Sequence, residues 1–112
     1  MANRIVLFCL IVFIVPVAIV FAQNYGKKEI LIDGGKKGNI TFPHQTHQNS
    51  INDCMVCHVS FPQEEGALTK SKKTGVLKKK QVMNKTCLKC HRNSKKAGKA
   101  YGPVKCSGCH IK

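Results

Sequence analysis

Apolar residues crowd the start of the chain. From Ile5 to Phe21 they run with a single interruption at Pro16, behind the positive charge of Arg4, and Val20-Phe21-Ala22 closes the run with small residues at its first and third positions. That pattern predicts a secretory signal peptide over residues 1–22, cleaved after Ala22. A retained membrane anchor is the rival reading, but a span takes about 20 apolar residues and this run is shorter. Cys9 lies inside the run without the small residues of a lipobox and leaves with the peptide. Beyond it the apolar positions become short and scattered. Glu29 to Ile32 and Asn39 to Phe42 are two brief runs around Asp33-Gly34-Gly35-Lys36-Lys37-Gly38, which predicts a small β-hairpin. Pro43 suits the first position of a short helix carrying His44 and His47. Residues 64–80 are rich in lysine and predict a solvated loop with a helix running into Met83. Residues 95–103 predict a second basic connector.

Composition sharpens the picture. Residues 1–22 hold 19 of the 48 hydrophobic residues, and only 16 Leu, Ile, Val and Phe remain among the 90 that follow. A charged chain so poor in large apolar side chains does not build a core by itself and would ordinarily be disordered. The length allows one small domain, placed at residues 23–112. A large unaided hydrophobic core is excluded.

Cysteine spacing supplies what the aliphatic residues lack. Cys54-Met55-Val56-Cys57-His58, Cys87-Leu88-Lys89-Cys90-His91 and Cys106-Ser107-Gly108-Cys109-His110 repeat one pattern and use all six cysteines beyond the export segment. C-x-x-C-H is the attachment signal of a c-type haem. Two thiols form thioethers with the vinyl groups on one porphyrin edge, and the adjacent histidine reaches the iron as proximal ligand. Zinc would also use C-x-x-C pairs, and disulfides would explain an even count in an exported chain. Neither gives a reason for a histidine after every pair. The cofactor reading is three covalently bound haem c groups.

Three haems need three proximal histidines, and His58, His91 and His110 provide them. His44 and His47 are the only other histidines, so imidazole alone cannot fill every distal position. Met55 is trapped between two cysteines, which makes Met83 the methionine free to act. The count predicts two His/His haems and one His/Met haem. At a spacing of three on one helix, His44 and His47 share a face and can each meet a different haem. The plainer alternatives are a pair of exposed polar histidines and a methionine filling the core.

The run Ile40-Thr41-Phe42-Pro43-His44-Gln45-Thr46-His47-Gln48, followed by three C-x-x-C-H motifs, resembles the class III multihaem cytochromes c, in particular the three-haem periplasmic cytochrome c7 family. The resemblance covers essentially the whole chain after the export segment. It implies a small, mostly irregular and α-helical fold with a short N-terminal β-hairpin, organised around three covalent haems. It also implies pairings: His44 with His58, His47 with His91, and Met83 with His110. Common members carry histidine where this chain has Met83, so the third haem departs from the all-histidine pattern. The segments between motifs look longer than in compact relatives, particularly residues 62–82.

Charge bears on partners. Removal of Arg4 leaves 18 basic and five acidic side chains, and six haem propionates, offset in part by ferric iron, keep the protein at roughly +7 to +10. Such a field steers a protein towards acidic redox partners, donors and acceptors alike. Nucleic acid is a poor fit for an exported chain with four aromatic residues after position 22. These features predict a monomeric periplasmic electron carrier with no catalytic residues and only peripheral contacts to membrane complexes. The family resemblance implies shuttling from quinol-linked inner-membrane donors to terminal or outer-membrane acceptors, including those of metal-oxide respiration. The rival is catalytic: without Met83 as a ligand, the third haem would be open to a reducible substrate such as a metal ion or peroxide.

Overall fold

The computed structural model describes residues 26–111. The expected export segment over residues 1–22 lies outside them. Strands β1 (Ile30–Ile32) and β2 (Ile40–Phe42) pair antiparallel with Ile30 opposite Phe42 and Ile32 opposite Ile40. Alternation puts Ile30, Ile32, Ile40 and Phe42 on the half-buried face, with Leu31 and Thr41 outward. The Asp33 carboxylate accepts the Gly35 N–H at 2.8 Å, which starts a 3₁₀ turn over Gly35–Lys37. Gly38 then leaves with φ 94°, a conformation that favours glycine. The Gly35 N–H and the Lys72 ammonium also hold the Asp33 carboxyl below its ordinary range.

Helix α1 (His44–Ile51) follows at once. Pro43 stands one position earlier than the sequence suggests, at the cap rather than inside the first turn. The helix ends where Asn52 adopts φ 55° and its N–H reaches the Gln48 carbonyl at 3.0 Å. The Asp53 carboxylate accepts the Met55 N–H at 2.9 Å, opening the single turn of α2 (Met55–His58).

Residues 62–82 are more ordered than the lysine content suggests. They contain helix α3 (Ala67–Lys73), whose Lys72 donates to the Asp33 carbonyl at 2.7 Å. An ion pair between Lys27 and Glu65 makes a second tie to the hairpin region. Ala67 and Leu77 are the only buried hydrophobic side chains among the described residues. A helix then runs over residues 81–96. Its middle, Met83–Cys87, is π-helical, with the Leu88 N–H bonded to the Met83 carbonyl, and α4 (Leu88–Lys96) completes it. The chain returns through a 3₁₀ turn at Cys106–Gly108. It closes on the hairpin, where Ile111 donates to the Asn39 carbonyl at 3.0 Å. Two buried side chains are far too few to offset the entropy of ordering such a chain.

Candidate functional site

Each C-x-x-C-H motif lies on a short helical turn that brings its cysteines and histidine together. The first forms α2, the second spans the π-to-α junction, and the third forms the 3₁₀ turn at Cys106–Gly108. In each, the histidine N–H bonds back to the carbonyl of the first cysteine or continues the same helix. None of the six cysteines is joined in a disulfide. The motifs also converge. Burial pushes the Cys57, Cys87 and Cys109 thiols up, and mutual repulsion adds to it, between Cys57 and Cys90 and between Cys87 and both Cys109 and Cys57.

All five histidines are held in the same manner. The Nδ1 atoms of His44, His47 and His58 donate to the carbonyls of Lys27, Pro43 and Phe61 at 2.9, 2.9 and 2.7 Å. Those of His91 and His110 donate to Pro103 and Gly38 at 2.7 and 3.0 Å. A carbonyl only accepts, so the proton sits on Nδ1 and the Nε2 lone pair is left for a metal. This is the outer-shell arrangement typical of ligating histidines.

The rings are also paired. His44 faces His58 at 6.2 Å between ring centres, and His47 faces His91 at 6.1 Å. Two metal–imidazole bonds of about 2.0 Å, plus roughly 1.1 Å from each nitrogen to its ring centre, require about 6.2 Å. The residues therefore fit an iron held between two imidazoles, twice over. Phe42 packs 4.4 Å from the His47 ring and 6.1 Å from that of His44, which fixes α1 against the hairpin. Among the described residues His110 has no histidine ring opposite it. Met83 is half-buried at the head of the π-helical turn and shares no hydrogen bond with His110.

Residues 40–111 match the family described as cytochrome c7 and related cytochrome c. The chain belongs to the cytochrome c7 family. It is 34% identical over 77 residues to a cytochrome c3 of Desulfuromonas acetoxidans, covering 69% of this chain and 88% of that one. A cytochrome c7 of Geobacter metallireducens is 36% identical over 77 residues, 69% of each chain. Among solved structures, the cytochrome c7 PpcB of Geobacter sulfurreducens is 33% identical with a TM-score of 0.53, covering 77% of this chain and all of that one. PpcC from the same organism is 28% identical with a TM-score of 0.54, covering 77% and 99%. As a c-type cytochrome with three attachment motifs, the protein carries three covalent haems and transfers electrons.

Several residues that shape the site escape sequence reasoning. A Cβ at Gly102 would stand 2.5 to 3.0 Å from three atoms of the His91 ring, and one at Gly34 would stand 2.7 Å from His110 Nδ1 and 1.9 Å from the Gly38 carbonyl oxygen. These two glycines let backbone approach the rings of His91 and His110 closely. Pro103 links two motifs: its carbonyl holds His91, and a Cβ at Gly108 would meet its ring at 2.7 Å. Glycine beside proline in Gly102-Pro103 was the available signal, but it reads as a turn until the histidine ring is seen against it.

Proposed function

We propose that this cytochrome is a periplasmic electron carrier whose irons are all closed by two protein ligands. Cys54 and Cys57, Cys87 and Cys90, and Cys106 and Cys109 are the proposed thioether anchors, with His58, His91 and His110 proximal. His44 is the proposed distal ligand opposite His58, His47 opposite His91, and Met83 opposite His110. The observation that carries this reading is the pair of histidine couples spaced for a metal between them, each ring locked with Nε2 free.

Bound haem iron supplies one-electron chemistry between ferric and ferrous states. The polypeptide's part is to hold its ligands still. Carbonyls at Lys27, Pro43, Phe61, Pro103 and Gly38 hold each imidazole in one tautomer and orientation, which would limit rearrangement when a bound haem changes charge. Closed coordination leaves no position for a substrate, which favours outer-sphere exchange over bond making. The converging motifs favour passage of charge within the molecule. Donors would be quinol-linked membrane dehydrogenases and acceptors terminal or outer-membrane reductases, met through small transient contacts with acidic proteins.

One observation keeps a second reading in play. His110 faces no other imidazole, so its iron is closed only if Met83 binds. With Met83 elsewhere, that haem is a site for small ligands or a reducible substrate. The deciding experiment is carbon monoxide binding to the dithionite-reduced protein, alongside a pyridine haemochrome assay. Three haems per chain with no rapid carbon monoxide complex supports the carrier. Rapid binding at one haem supports the catalytic alternative, and fewer than three haems contradicts the assignment of the motifs.

A further inference from the structure

The positive charge is not spread evenly along this chain. Residues 66–112 contain 14 basic side chains and no acidic one, whereas residues 23–65 contain four basic and five acidic. The net charge of the cytochrome domain therefore comes from its second half. Three acidic residues of the first half are engaged by lysines: Asp33 with Lys72, Glu64 with Lys70 and Glu65 with Lys27. From Lys78 to Lys105 no basic side chain makes an ion pair among the described residues.

The 81–96 helix organises this charge into a face. Met83, Cys87, His91 and Ser94 form a half-buried stripe, at intervals of four, four and three residues. Lys85, Lys89, Arg92 and Lys96 form an exposed one at intervals of four, three and four. One side of the helix thus holds the second haem motif and the other presents four cations. Arg92, Lys95 and Lys96 line a shallow open hollow with Val104, which suits a carboxylate lying beside an apolar edge.

A merely solubilising surface has no reason to keep every acid off this half of the chain. We propose that the exposed face of the 81–96 helix is the docking surface for an acidic redox protein. The proposal rests on the electron-carrier reading above and adds the place of contact. Like charges gathered at one site attract an acidic patch more strongly than the same charges dispersed, and they orient the encounter as well as hasten it.

The test compares two charge reversals of equal size. Lys85→Glu/Arg92→Glu/Lys96→Glu alters the helix face, and Lys28→Glu/Lys36→Glu/Lys37→Glu alters the exposed hairpin side by the same net charge. The probe is a reduced acidic flavodoxin, which gives one electron per encounter to the ferric holoprotein, followed by stopped flow from low to high salt. The helix variant is expected to be about tenfold slower at low salt with a flatter salt dependence, and the hairpin variant within about twofold of wild type. The milder Lys85→Gln/Arg92→Gln/Lys96→Gln variant should show a smaller shift in the same direction if glutamates harm haem incorporation. Equal slowing in both reversals, or greater slowing at the hairpin, overturns the docking face while leaving the carrier reading intact. A wild-type rate independent of salt defeats the acidic-partner reading, and no electron uptake defeats the carrier itself. Sedimentation with phosphatidylglycerol vesicles that depends on the helix face, while flavodoxin rates do not, would assign the face to a membrane and overturn the proposal.

Discussion

His44 and His58 face each other with their ring planes at 89°, whereas His47 and His91, at nearly the same spacing, are inclined by only 31°. The hydrogen bonds at each Nδ1 hold these angles, since an imidazole tied to a fixed carbonyl cannot turn freely about its bond to a metal. An iron held between each proposed pair would have nearly degenerate d orbitals where the rings are perpendicular and split ones where they are near-parallel. Of the two proposed bis-histidine haems in the ferric holoprotein, one should therefore give a strongly anisotropic low-spin EPR signal with a large maximal g value and the other an ordinary rhombic signal, beside that of the third haem. His44→Met should remove the first and His47→Met the second. Absence of any large-g signal, or the reverse response, would refute these pairings.

Gly102 tests how tightly His91, the proposed proximal ligand of the second motif, is backed. A methyl group there meets the His91 ring at 2.5 Å, while one at Gly75 meets nothing within 4 Å. Gly102→Ala should displace His91, cost about 1–3 kcal/mol and convert one haem partly to high spin. Gly75→Ala should cost about 1–2 kcal/mol, from its positive φ, but leave the visible spectrum unchanged. Thermal melts with parallel ferric spectra separate the two effects.

On the proposed ligand set, Met83 sets the potential of the third haem. Replacing a thioether by an imidazole favours the ferric state, so Met83→His should lower one potential by on the order of 0.1 V, within the roughly 0.8 V that axial ligands command. The other two potentials should move little. A haem-resolved titration that finds all three unchanged removes Met83 from the ligand set.

Folding should depend on haem. Ala67 and Leu77 are the only buried hydrophobic side chains among the described residues, and no small domain stands on two. Chain produced without haem attachment should give a far-ultraviolet spectrum without the helices at 44–51 and 81–96, and should be rapidly proteolysed. Native-like circular dichroism in the haem-free chain would contradict this.

The parts of the fold legible in the sequence are those encoded locally. The hairpin follows from two short apolar runs around glycines, and the motifs from the spacing of cysteine and histidine. Other parts depend on distant residues. Helix α3 looks like a lysine-rich loop because its order comes from ties to Asp33 and from burial of Ala67 and Leu77, none of which has a local pattern. The Gly38 carbonyl that holds His110 lies 72 residues away from it. The π-helical turn between Met83 and Cys87 has no compositional mark either. Sequence spacing identifies the ligand candidates, while the backbone atoms that orient them emerge only with the fold.

The central claim is the ligand set of the three irons. Near-infrared magnetic circular dichroism of the ferric protein, recorded through a redox titration, reads it directly. The account predicts two bis-histidine signatures and one histidine–methionine signature, the last belonging to the haem of highest potential. Two bis-histidine signatures with no histidine–methionine signature, or any high-spin iron in the native protein at neutral pH, would contradict it.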